Sequence, residues 1–491
     1  MSDVTDDENT EQPGRSMSIA SDLSDSSSSQ SDSDCDDNDD NNEEEAVTSS
    51  NTQEDAICED TMYYKDKNFF NIGLVNDNRT EEEAATNDIV PVPFIDYFRG
   101  YINQNFIAEI ARCTNQRSIE LCLGKCANVT TNEIENFIGV YFLMSIIKMP
   151  RIQMYWQVQT RFSVVADVMT EDRFLEIRSY LKVQDDNRVS EDMKKKDRLW
   201  KVRPILEEIR KRCSDLPRSQ KVNINESIIP FRGRSKKSNA CADADGLKMF
   251  VLTSSKGLIL DFYVYHRQEA LISTLEQLKI KPNRQLSLGE AIVLRFVLSI
   301  DPGASLYFDK YFTSTKLLEE LFDRGINGTG IIKKNLLPKE ASFKSKNQLR
   351  KEGHGASDVQ VRIDKKFAIT SWYDDCNRKI KYFVSNAYSA APEDIYQCWS
   401  KTKNKYISVK RPCVVREYNN ALEGIHVHNN QVINYYRSMD ETNKWTVKTI
   451  LHMLDVVTFN SWMEYRLDLG DRDCMQYFDF KLFLALQLCR H

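Results

Sequence analysis

The chain has 491 residues, with 66 Lys/Arg against 73 Asp/Glu, and a formal net charge of −7 at pH 7. This length is typical of two or three folded units. The N-terminus is acidic and lacks an apolar stretch, and the longest apolar run, residues 137–149, is shorter than the about 20 residues that span a bilayer. Composition therefore argues against a secreted or membrane-spanning protein, and we expect the 12 cysteines to be reduced thiols.

The charge is divided unevenly along the chain. Residues 1–60 contain 20 Asp/Glu and a single basic residue, Arg15, and sum to −19, whereas the remaining 431 residues carry 65 Lys/Arg and 53 Asp/Glu, a balance of +12. The first segment is rich in Ser, Asp, Glu and Asn and cannot bury enough apolar surface to offset its ordering entropy, so we predict a disordered acidic tail. The basic remainder favours contact with nucleic acid, although a basic surface that only maintains solubility has the same composition.

Between about residues 89 and 216 the apolar residues recur at helical spacing. Thr130 and Glu133 form a capping-box signal before one apolar stretch, and Thr170 precedes two acidic residues at the start of another. Three helices are therefore predicted, over Ile134–Ile147, Arg173–Val183 and Arg203–Arg212.

At Lys221 the pattern changes to alternation, because Val222, Ile224 and Ile228 are separated by polar residues, which indicates a strand. Two further apolar runs flank residues 254–257 (SSKG), a turn sequence that predicts a β-hairpin. The elements predicted from here are the hairpin strands Lys248–Thr253 and Leu258–Tyr265, a strand Ser305–Phe308, an amphipathic helix Thr313–Arg324 and a strand Gly328–Ile332. Periodicity alone predicts a mixed α/β fold.

The last third of the chain alternates between loop-like and regular patterns. Residues 336–357 are rich in Lys, Ser and Gly and are predicted to form an exposed loop. Val359–Asn386 returns to strand-like alternation, and after Gln431 the spacing is helical, most clearly over Trp445–Trp462.

Three segments carry motifs that share one resemblance. Residues 225–234 read NESIIPFRGR, residues 307–314 read YFDKYFTS and residues 418–426 read YNNALEGIH. In this order and spacing they resemble the three catalytic blocks of piggyBac-type DNA transposases. These are Asp-Glu-x-(apolar)-x-Pro-Phe-Arg-Gly-Arg, Phe-Asp-Asn-(aromatic)-Phe-Thr-Ser and Tyr-Asn-x-x-(Met)-Gly-Gly-Val-Asp-x-x-(Asp), whose last acid falls at position 429. Weaker matches on either side extend the resemblance over roughly residues 90–470.

The resemblance implies an α/β fold: an RNase H-like catalytic core with a β-rich insertion, flanked by a split helical dimerisation/DNA-binding domain. The implied units are the disordered acidic tail 1–60, a first helical segment 88–220, a first core segment 221–335, an insertion domain 336–405, a second core segment 406–432 and a second helical segment 433–491.

In the family these blocks supply metal-binding acids. Here the acid positions hold Asn225, Asp309, His426 and Asn429, so only Asp309 retains a carboxylate. DNA strand transfer takes two divalent metals about 4 Å apart, and Mg²⁺ prefers carboxylate and water oxygens. An Asn oxygen adds no charge, and a His favours softer metals. We therefore predict no transposase activity and no bound cofactor, where the resemblance implies Mg²⁺ or Mn²⁺ in the ancestral site.

A rearranged metal site is the alternative. Glu226 and Glu423 are acids near the lost positions, although Glu226 on a strand would point away from the face of Asn225. His426 and His428 would share one face of a strand and, with Asp309, hold Zn²⁺ or Mn²⁺; otherwise both are ordinary surface or hydrogen-bonded histidines. Such a rearrangement would leave an enzyme that still cuts DNA.

Basic residues cluster at three places between residues 232 and 410. They are Arg232, Arg234, Lys236 and Lys237 after the first block, Lys333 and Lys334 after the strand that ends at Ile332, and Lys401, Lys403, Lys405 and Lys410 before the third block. Phosphate contact needs only Lys or Arg on one face, so DNA binding can outlast catalysis. We take the first two clusters as the predicted DNA-binding residues, with solvated charge as the alternative.

Together these features predict a nuclear, transposase-derived protein that binds duplex DNA through backbone contacts. A homodimer and nuclear protein partners recruited by the acidic tail are expected, and no membrane association. The alternatives are a chromatin or protein-interaction scaffold that no longer touches DNA, a nuclease with a rearranged metal site, and a decaying transposon copy without a selected role. The sequence leaves the DNA target and the biological role open.

Overall fold

The structure is a computed structural model, which describes residues 63–70, 92–122, 124–230, 242–243, 246–277, 286–374, 379–400, 404–426, 442, 444–470 and 474–489. These residues belong to one compact unit, Glu59–His491. The predicted acidic tail, residues 1–60, lies outside the described residues. In the described part of the chain, no helix is both long and apolar enough to cross a membrane.

Helices dominate up to residue 215, as the apolar spacing predicts. After a short strand β1, Tyr63–Tyr64, they are α1 Phe94–Arg99, α2 Gln104–Leu121, α3 Thr131–Ile146, α4 Ser163–Ala166, α5 Glu171–Tyr180, α6 Glu191–Lys196 and α7 Arg203–Asp215. The predicted capping box is confirmed, because the Thr130 hydroxyl accepts from the Glu133 N–H (3.2 Å) and the Glu133 carboxylate accepts from the Thr130 N–H (2.9 Å). Thr170 caps α5 by accepting from the Arg173 N–H (3.3 Å). Local capping thus sets where these helices begin.

A ten-stranded mixed sheet follows the first helices. Its first part contains β2 Lys221–Pro230, β3 Ala242–Asp243, β4 Gly246–Ser254, β5 Ile259–Val264, α8 Gln268–Gln277, α9 Leu288–Val297, β6 Ser305–Phe308, α10 Thr315–Asp323 and β7 Asn327–Ile332. β4 and β5 pair antiparallel as the predicted hairpin, whereas β2 pairs parallel with β6 and β6 pairs parallel with β7. The predicted mixed α/β fold is confirmed.

The segment predicted to be an exposed loop contains a helix, α11, Lys346–Glu352. Ser345 and Gln348 form a capping box at its start, and Leu349 is buried. The loop prediction is therefore wrong for α11, because a capping pair and one buried leucine suffice for two helical turns in a Lys- and Ser-rich stretch.

The predicted alternation over residues 359–386 corresponds to three strands, β8 Ser357–Arg362, β9 Ala368–Asp374 and β10 Lys379–Ser385. They extend the large sheet, whose order is β1-β8-β9-β10-β7-β6-β2-β4-β3 with β5 beside β4. A separate two-stranded antiparallel sheet is formed by β11, Asp394–Ser400, and β12, Lys405–Arg411, and we call it the ribbon.

Cys398 on β11 is disulfide-bonded, which corrects the expectation that the cysteines are all reduced.

The last helices are α12 Cys413–His426, α13 Trp445–Leu469 and α14 Tyr477–Leu488. α12 packs on the sheet, whereas α13 and α14 pack against the first helices. α14 lies so close to α3 that a Cβ on Gly139 would be 2.5 Å from Cys489 Sγ. The buried Lys481 ammonium donates to Asp455 (2.8 Å), which also accepts from the Tyr141 hydroxyl (2.8 Å). The first and last helical segments therefore form one packed group.

Candidate functional site

Asn225 and Asp309 lie side by side at the end of the β2–β6 pair. The two strands are parallel neighbours in which Ile224 is opposite Phe308, so the next residue of each strand lies at the same level. Neighbouring strands are about 4.8 Å apart, and residues at the same level point to the same face of the sheet. The fold thus brings together two of the four positions assigned to the site from the sequence.

Asp309 begins a turn that follows β6. Its Oδ1 accepts from the Tyr311 N–H (2.8 Å), and its carbonyl oxygen accepts from the Phe312 N–H (3.2 Å) and the Thr313 hydroxyl (2.8 Å). The residue is exposed. The turn therefore holds the retained carboxylate at the solvent-facing edge of the sheet.

α12 lies along the face of β2 that carries Asn225. Lys221 Nζ is 3.5 Å from Glu417 Oε2, and further along the strand Asn223 Nδ2 donates to the Ala421 carbonyl (3.1 Å). Two residues of a strand advance about 6.6 Å and four residues of a helix advance about 6 Å. Each two residues along β2 are therefore matched by about four residues along α12. The same progression carries the end of α12 to the level of Asn225.

His426 is the last residue of that helix, which corrects the prediction that it alternates with His428 along a strand. The helix forms because Val414, Tyr418 and Ala421 are buried at helical spacing against the sheet. The side chains of residues 423–426 lie outside the described residues, as do all of residues 427–441, including Asn429. The structure therefore places the backbone of the third block beside the first two and leaves its side chains untested.

Burial keeps the phenol that faces this site neutral. Tyr418 is buried, with its ring centroid 5.4 Å from that of Phe383. Burial, together with the negative charge of Asp309, raises the pKa of the Tyr418 hydroxyl well above its usual range. Among the described residues, the buried Asn225 Nδ2 and Asn223 Oδ1 have no hydrogen-bond partner.

The side chains that are described do not fit a pair of Mg²⁺ ions. Within the described ranges, no three His, Cys, Asp or Glu side chains are grouped so that they could hold a metal. Glu226 faces away from Asn225, as predicted, because its carboxylate pairs with Lys248 Nζ (3.2 Å) on the other side of β2. Asn225 offers an amide, whose N–H donors repel a cation and whose oxygen is neutral. Asp309 alone supplies far less negative charge than two divalent ions need.

Two of the predicted DNA-binding residues lie near the same edge of the sheet. Because Phe308 is opposite Gly330 in the parallel β6–β7 pair, Asp309 is level with Ile331, and Lys333 follows two residues later. Lys333 and Lys334 are both exposed. Arg232, Arg234, Lys236 and Lys237 lie outside the described residues.

Asn223, which no motif singles out, ties β2 to α12 through its amide. It stands two residues before Asn225, so both side chains share one face of the strand. Two amides spaced two residues apart on a buried strand were the sequence signal that could have indicated Asn223. Its partner, Ala421, gave no signal, because the contact is to a backbone carbonyl.

Comparisons with known proteins identify similar chains. A family profile described as "Transposase IS4" matches residues 95–462. PiggyBac transposable element-derived protein 2 of Homo sapiens is 27% identical over 399 residues, which cover 79% of this chain and 63% of that protein. PiggyBac transposable element-derived protein 3 of Homo sapiens is 25% identical over 351 residues, which cover 69% of this chain and 56% of that protein. The chain thus spans less than two thirds of the length of these relatives.

The fold is also similar to a solved structure. A cryo-EM structure of a piggyBac transposase synaptic complex with hairpin DNA superimposes with a TM-score of 0.62 and 19% sequence identity, over 80% of each chain. The profile, the relatives and the fold therefore agree over most of the chain from the first helices to α13.

Proposed function

Because the chain belongs to the piggyBac-type transposase family, we propose that it is a transposase-derived DNA-binding protein without strand-transfer activity. The observation that carries this proposal is the pair at the β2–β6 edge, where the amide of Asn225 stands next to the carboxylate of Asp309. In a metal-dependent transposase both positions need a negative charge.

The strand order supports an RNase H-like core. β5, β4 and β2 are antiparallel neighbours, and β2, β6 and β7 are parallel neighbours, with Asp309 after the central parallel strand. Residues 336–405, which contain β8 to β11, would then be the β-rich insertion, and the packed group of first and last helices would be the dimerisation/DNA-binding domain. We propose these three assignments, of the core, the insertion and the helical domain, together with the function.

The loss of catalysis follows from charge. Two Mg²⁺ ions carry +4, and the described side chains of the site supply one carboxylate against it. Replacing one preorganised electrostatic group commonly lowers a rate by about 10²–10³. Two replacements, at Asn225 and His426, would lower the rate further, although such effects are not additive.

DNA binding is proposed on two grounds. The structurally similar piggyBac transposase was solved with hairpin DNA, and this chain exposes Lys333 and Lys334 beside the edge that carries Asp309. Phosphate contacts need only positive charge and so survive the loss of metal ligands. A nuclear location, a homodimer and partners of the acidic tail accompany this proposal as expectations.

The test of catalysis is a cleavage assay on labelled duplex DNA with Mg²⁺ or Mn²⁺, with the Asp309→Ala variant beside the wild type. We expect no metal-dependent cleavage by either protein. Cleavage by the wild type that Asp309→Ala abolishes would show an enzyme with a rearranged site and would overturn the proposal.

The test of binding is a titration of duplex DNA at several salt concentrations. The logarithm of the binding constant should fall linearly with that of the salt concentration, and each phosphate contact contributes about 0.9 to the slope. Lys333→Ala/Lys334→Ala should therefore reduce the slope by about 1.8. The adjacent pair Lys365 and Lys366, in the turn between β8 and β9 and outside both the helical group and the β6–β7 edge, provides the matched double-alanine control, which should leave the slope unchanged. Absence of duplex binding by the wild type would favour the scaffold alternative.

A further inference from the structure

The ribbon has two unlike faces. In its antiparallel register, Ile395, Gln397 and Trp399 on β11 are opposite Lys410, Ser408 and Tyr406 on β12, and these six side chains form one face. The alternate residues, Ile407 and Val409 among them, pack into a cluster with Phe383 and Tyr418. The ribbon is therefore anchored by its inner face, while its outer face is turned to solvent.

The base of the ribbon is held firmly. The Lys410 N–H donates to the His354 carbonyl (3.3 Å), and the Lys410 carbonyl accepts from Trp372 Nε1 (3.1 Å). Gly355, with φ of +76°, approaches so closely that a Cβ there would be 2.0 Å from the Lys410 carbonyl oxygen. The outer face is thus presented on a rigid support, which limits the entropy lost when a ligand binds.

Large apolar side chains are exposed on that outer face. Ile395 is 68% exposed, Tyr406 56% and Trp399 42%. The Trp399 and Tyr406 rings meet edge to face, with centroids 5.2 Å apart and planes at 72°. All six tryptophans of the chain lie in the described ranges, and Trp399 is the exposed one. A paired Trp and Tyr left open to water indicates a binding surface.

Lysine side chains lie on the same ribbon as the Trp399 and Tyr406 rings. From Asp394 to Arg411 the sequence contains five Lys/Arg and one Asp. Arg411 is paired with that aspartate (2.7 Å), so the remaining charge in this stretch comes from lysines. Lys405 and Lys410 are exposed on the ribbon. The open cavity at its base is lined by Lys67 and Lys410 together with Glu352 and Glu393, so it adds no net positive charge.

We propose that the outer face of the ribbon binds single-stranded DNA, with Trp399 and Tyr406 stacking on unpaired bases and Lys410 contacting the phosphate backbone. Tyr406 and Lys410 are four strand residues apart, about 13 Å along the ribbon, a span that covers about two nucleotides of an extended strand. Base stacking on aromatic rings together with lysines along the backbone is how single strands are held without sequence preference. This inference rests on the proposed DNA-binding function and specifies that the DNA bound by the ribbon is single-stranded.

The chemistry of the face favours a single strand over duplex DNA and over an acidic peptide. In a duplex the base faces are already stacked, so the rings would have nothing to cover. An amphipathic acidic peptide needs an apolar groove, whereas between Ile395 and Trp399 this face carries Gln397, which donates to Ser408 (3.0 Å). Polar atoms between the apolar side chains suit a sugar-phosphate chain better than an apolar helix face.

The test is fluorescence anisotropy with labelled oligothymidylate, which has little structure of its own, alongside labelled duplex DNA. Trp399→Ala/Tyr406→Ala should weaken oligothymidylate binding about tenfold or more, because each stacked base contributes substantially to affinity, and should leave duplex binding unchanged. Ile395→Ala/Gln397→Ala, on the same face but without rings, is the matched control and should retain affinity for oligothymidylate. Trp399→Phe/Tyr406→Phe keeps both rings and should retain it as well. Unchanged circular dichroism and duplex affinity show that each variant is folded.

The outcomes separate this inference from the proposed function. Duplex binding without oligothymidylate binding, or equal affinity of the Trp399→Ala/Tyr406→Ala variant and the wild type, overturns the ribbon assignment alone. Oligothymidylate binding that depends on the rings, without duplex binding, supports the ribbon and overturns the duplex proposal. If neither DNA binds, both fail. Ring-dependent binding of a glutamate-rich aromatic peptide in place of oligothymidylate would assign the face to a protein partner and overturn the inference.

Discussion

At position 225 the difference between an amide and a carboxylate changes the charge of the whole site. Asn225 and Asp309 are level on neighbouring parallel strands, so a second carboxylate at position 225 would stand about 4.8 Å away across the sheet. With asparagine, the two side chains do not repel each other, and the pair supplies one negative charge instead of two. The buried Asn225 Nδ2 has no hydrogen-bond partner among the described residues.

Asn225→Asp is therefore expected to lower stability without metal and to create a response to Mg²⁺. Two like charges at this spacing, one of them exposed, should lower the free energy of unfolding by about 1 kcal/mol at neutral pH. Mg²⁺ should raise the melting temperature of the variant, because an ion bound to the folded state stabilises it. Thermal unfolding with Mg²⁺ and with EDTA measures both effects.

Asn347→Asp, which replaces an exposed amide on α11 with no acid beside it in the sequence, is the matched control and should show no response to Mg²⁺. If the wild type itself were stabilised by Mg²⁺ as much as Asn225→Asp, the site would already hold the ion. That result would contradict the proposed loss of the metal site.

Among the helices, the contact between α3 and α14 joins parts of the chain more than 300 residues apart. It depends on Gly139, where a Cβ would lie 2.5 Å from Cys489 Sγ and 2.8 Å from the Ala485 carbonyl oxygen. Gly139 lies inside α3, where glycine costs about 1 kcal/mol relative to alanine. The close approach of the two helices is the physical reason for glycine at this position.

Gly139→Ala should destabilise the protein despite its better helix propensity. Overpacking of this kind costs about 1–3 kcal/mol, which urea unfolding would measure. Gly139→Ala/Cys489→Ala should recover part of the loss, because the thiol can be removed but the Ala485 carbonyl cannot. A stabilised Gly139→Ala variant would mean that α14 does not pack against α3 as described.

For the molecule as a whole, Asn460 joins the helical group to the sheet. Its side-chain oxygen accepts from the Ile259 N–H (2.8 Å), and its Nδ2 donates to the Ile259 carbonyl (2.9 Å) and to the Tyr101 hydroxyl (3.0 Å). The amide on α13 thus pairs with the β5 backbone as a neighbouring strand would. Asn460 is buried, so these backbone groups have little access to water.

Asn460→Ala should lower the free energy of unfolding by about 3 kcal/mol, because it leaves a buried N–H and a buried C=O without partners. Asn115 offers a matched control, since it makes the same pair of contacts with Val129 (2.8 and 2.7 Å) but is half-buried. Asn115→Ala should cost less, because water can replace its contacts. Equal losses in urea unfolding would show that burial of the Asn460 contacts does not matter.

How much of this structure the sequence predicts depends on the range of the interactions. The capping box at Thr130, the strand Ser305–Phe308 and the β4–β5 hairpin were predictable, because the residues that stabilise them are close neighbours along the chain. α11 was missed because its capping pair lay in a stretch of loop-like composition. His426 was placed on a strand because two alternating histidines look alike in a strand and at a helix end until the packing of the preceding residues is known.

The sequence by itself determined the local elements, the division of charge and the chemical identity of the site residues, including the amide at position 225 and the carboxylate at 309. Those properties depend on side-chain type and on contacts within a few residues. Only the tertiary structure decided that β2 and β6 are parallel neighbours, that α12 runs along Asn223 and Asn225, and that Trp399 and Tyr406 share an open face. Such juxtapositions depend on long-range strand pairing and on competition for burial among distant segments, which no local pattern encodes.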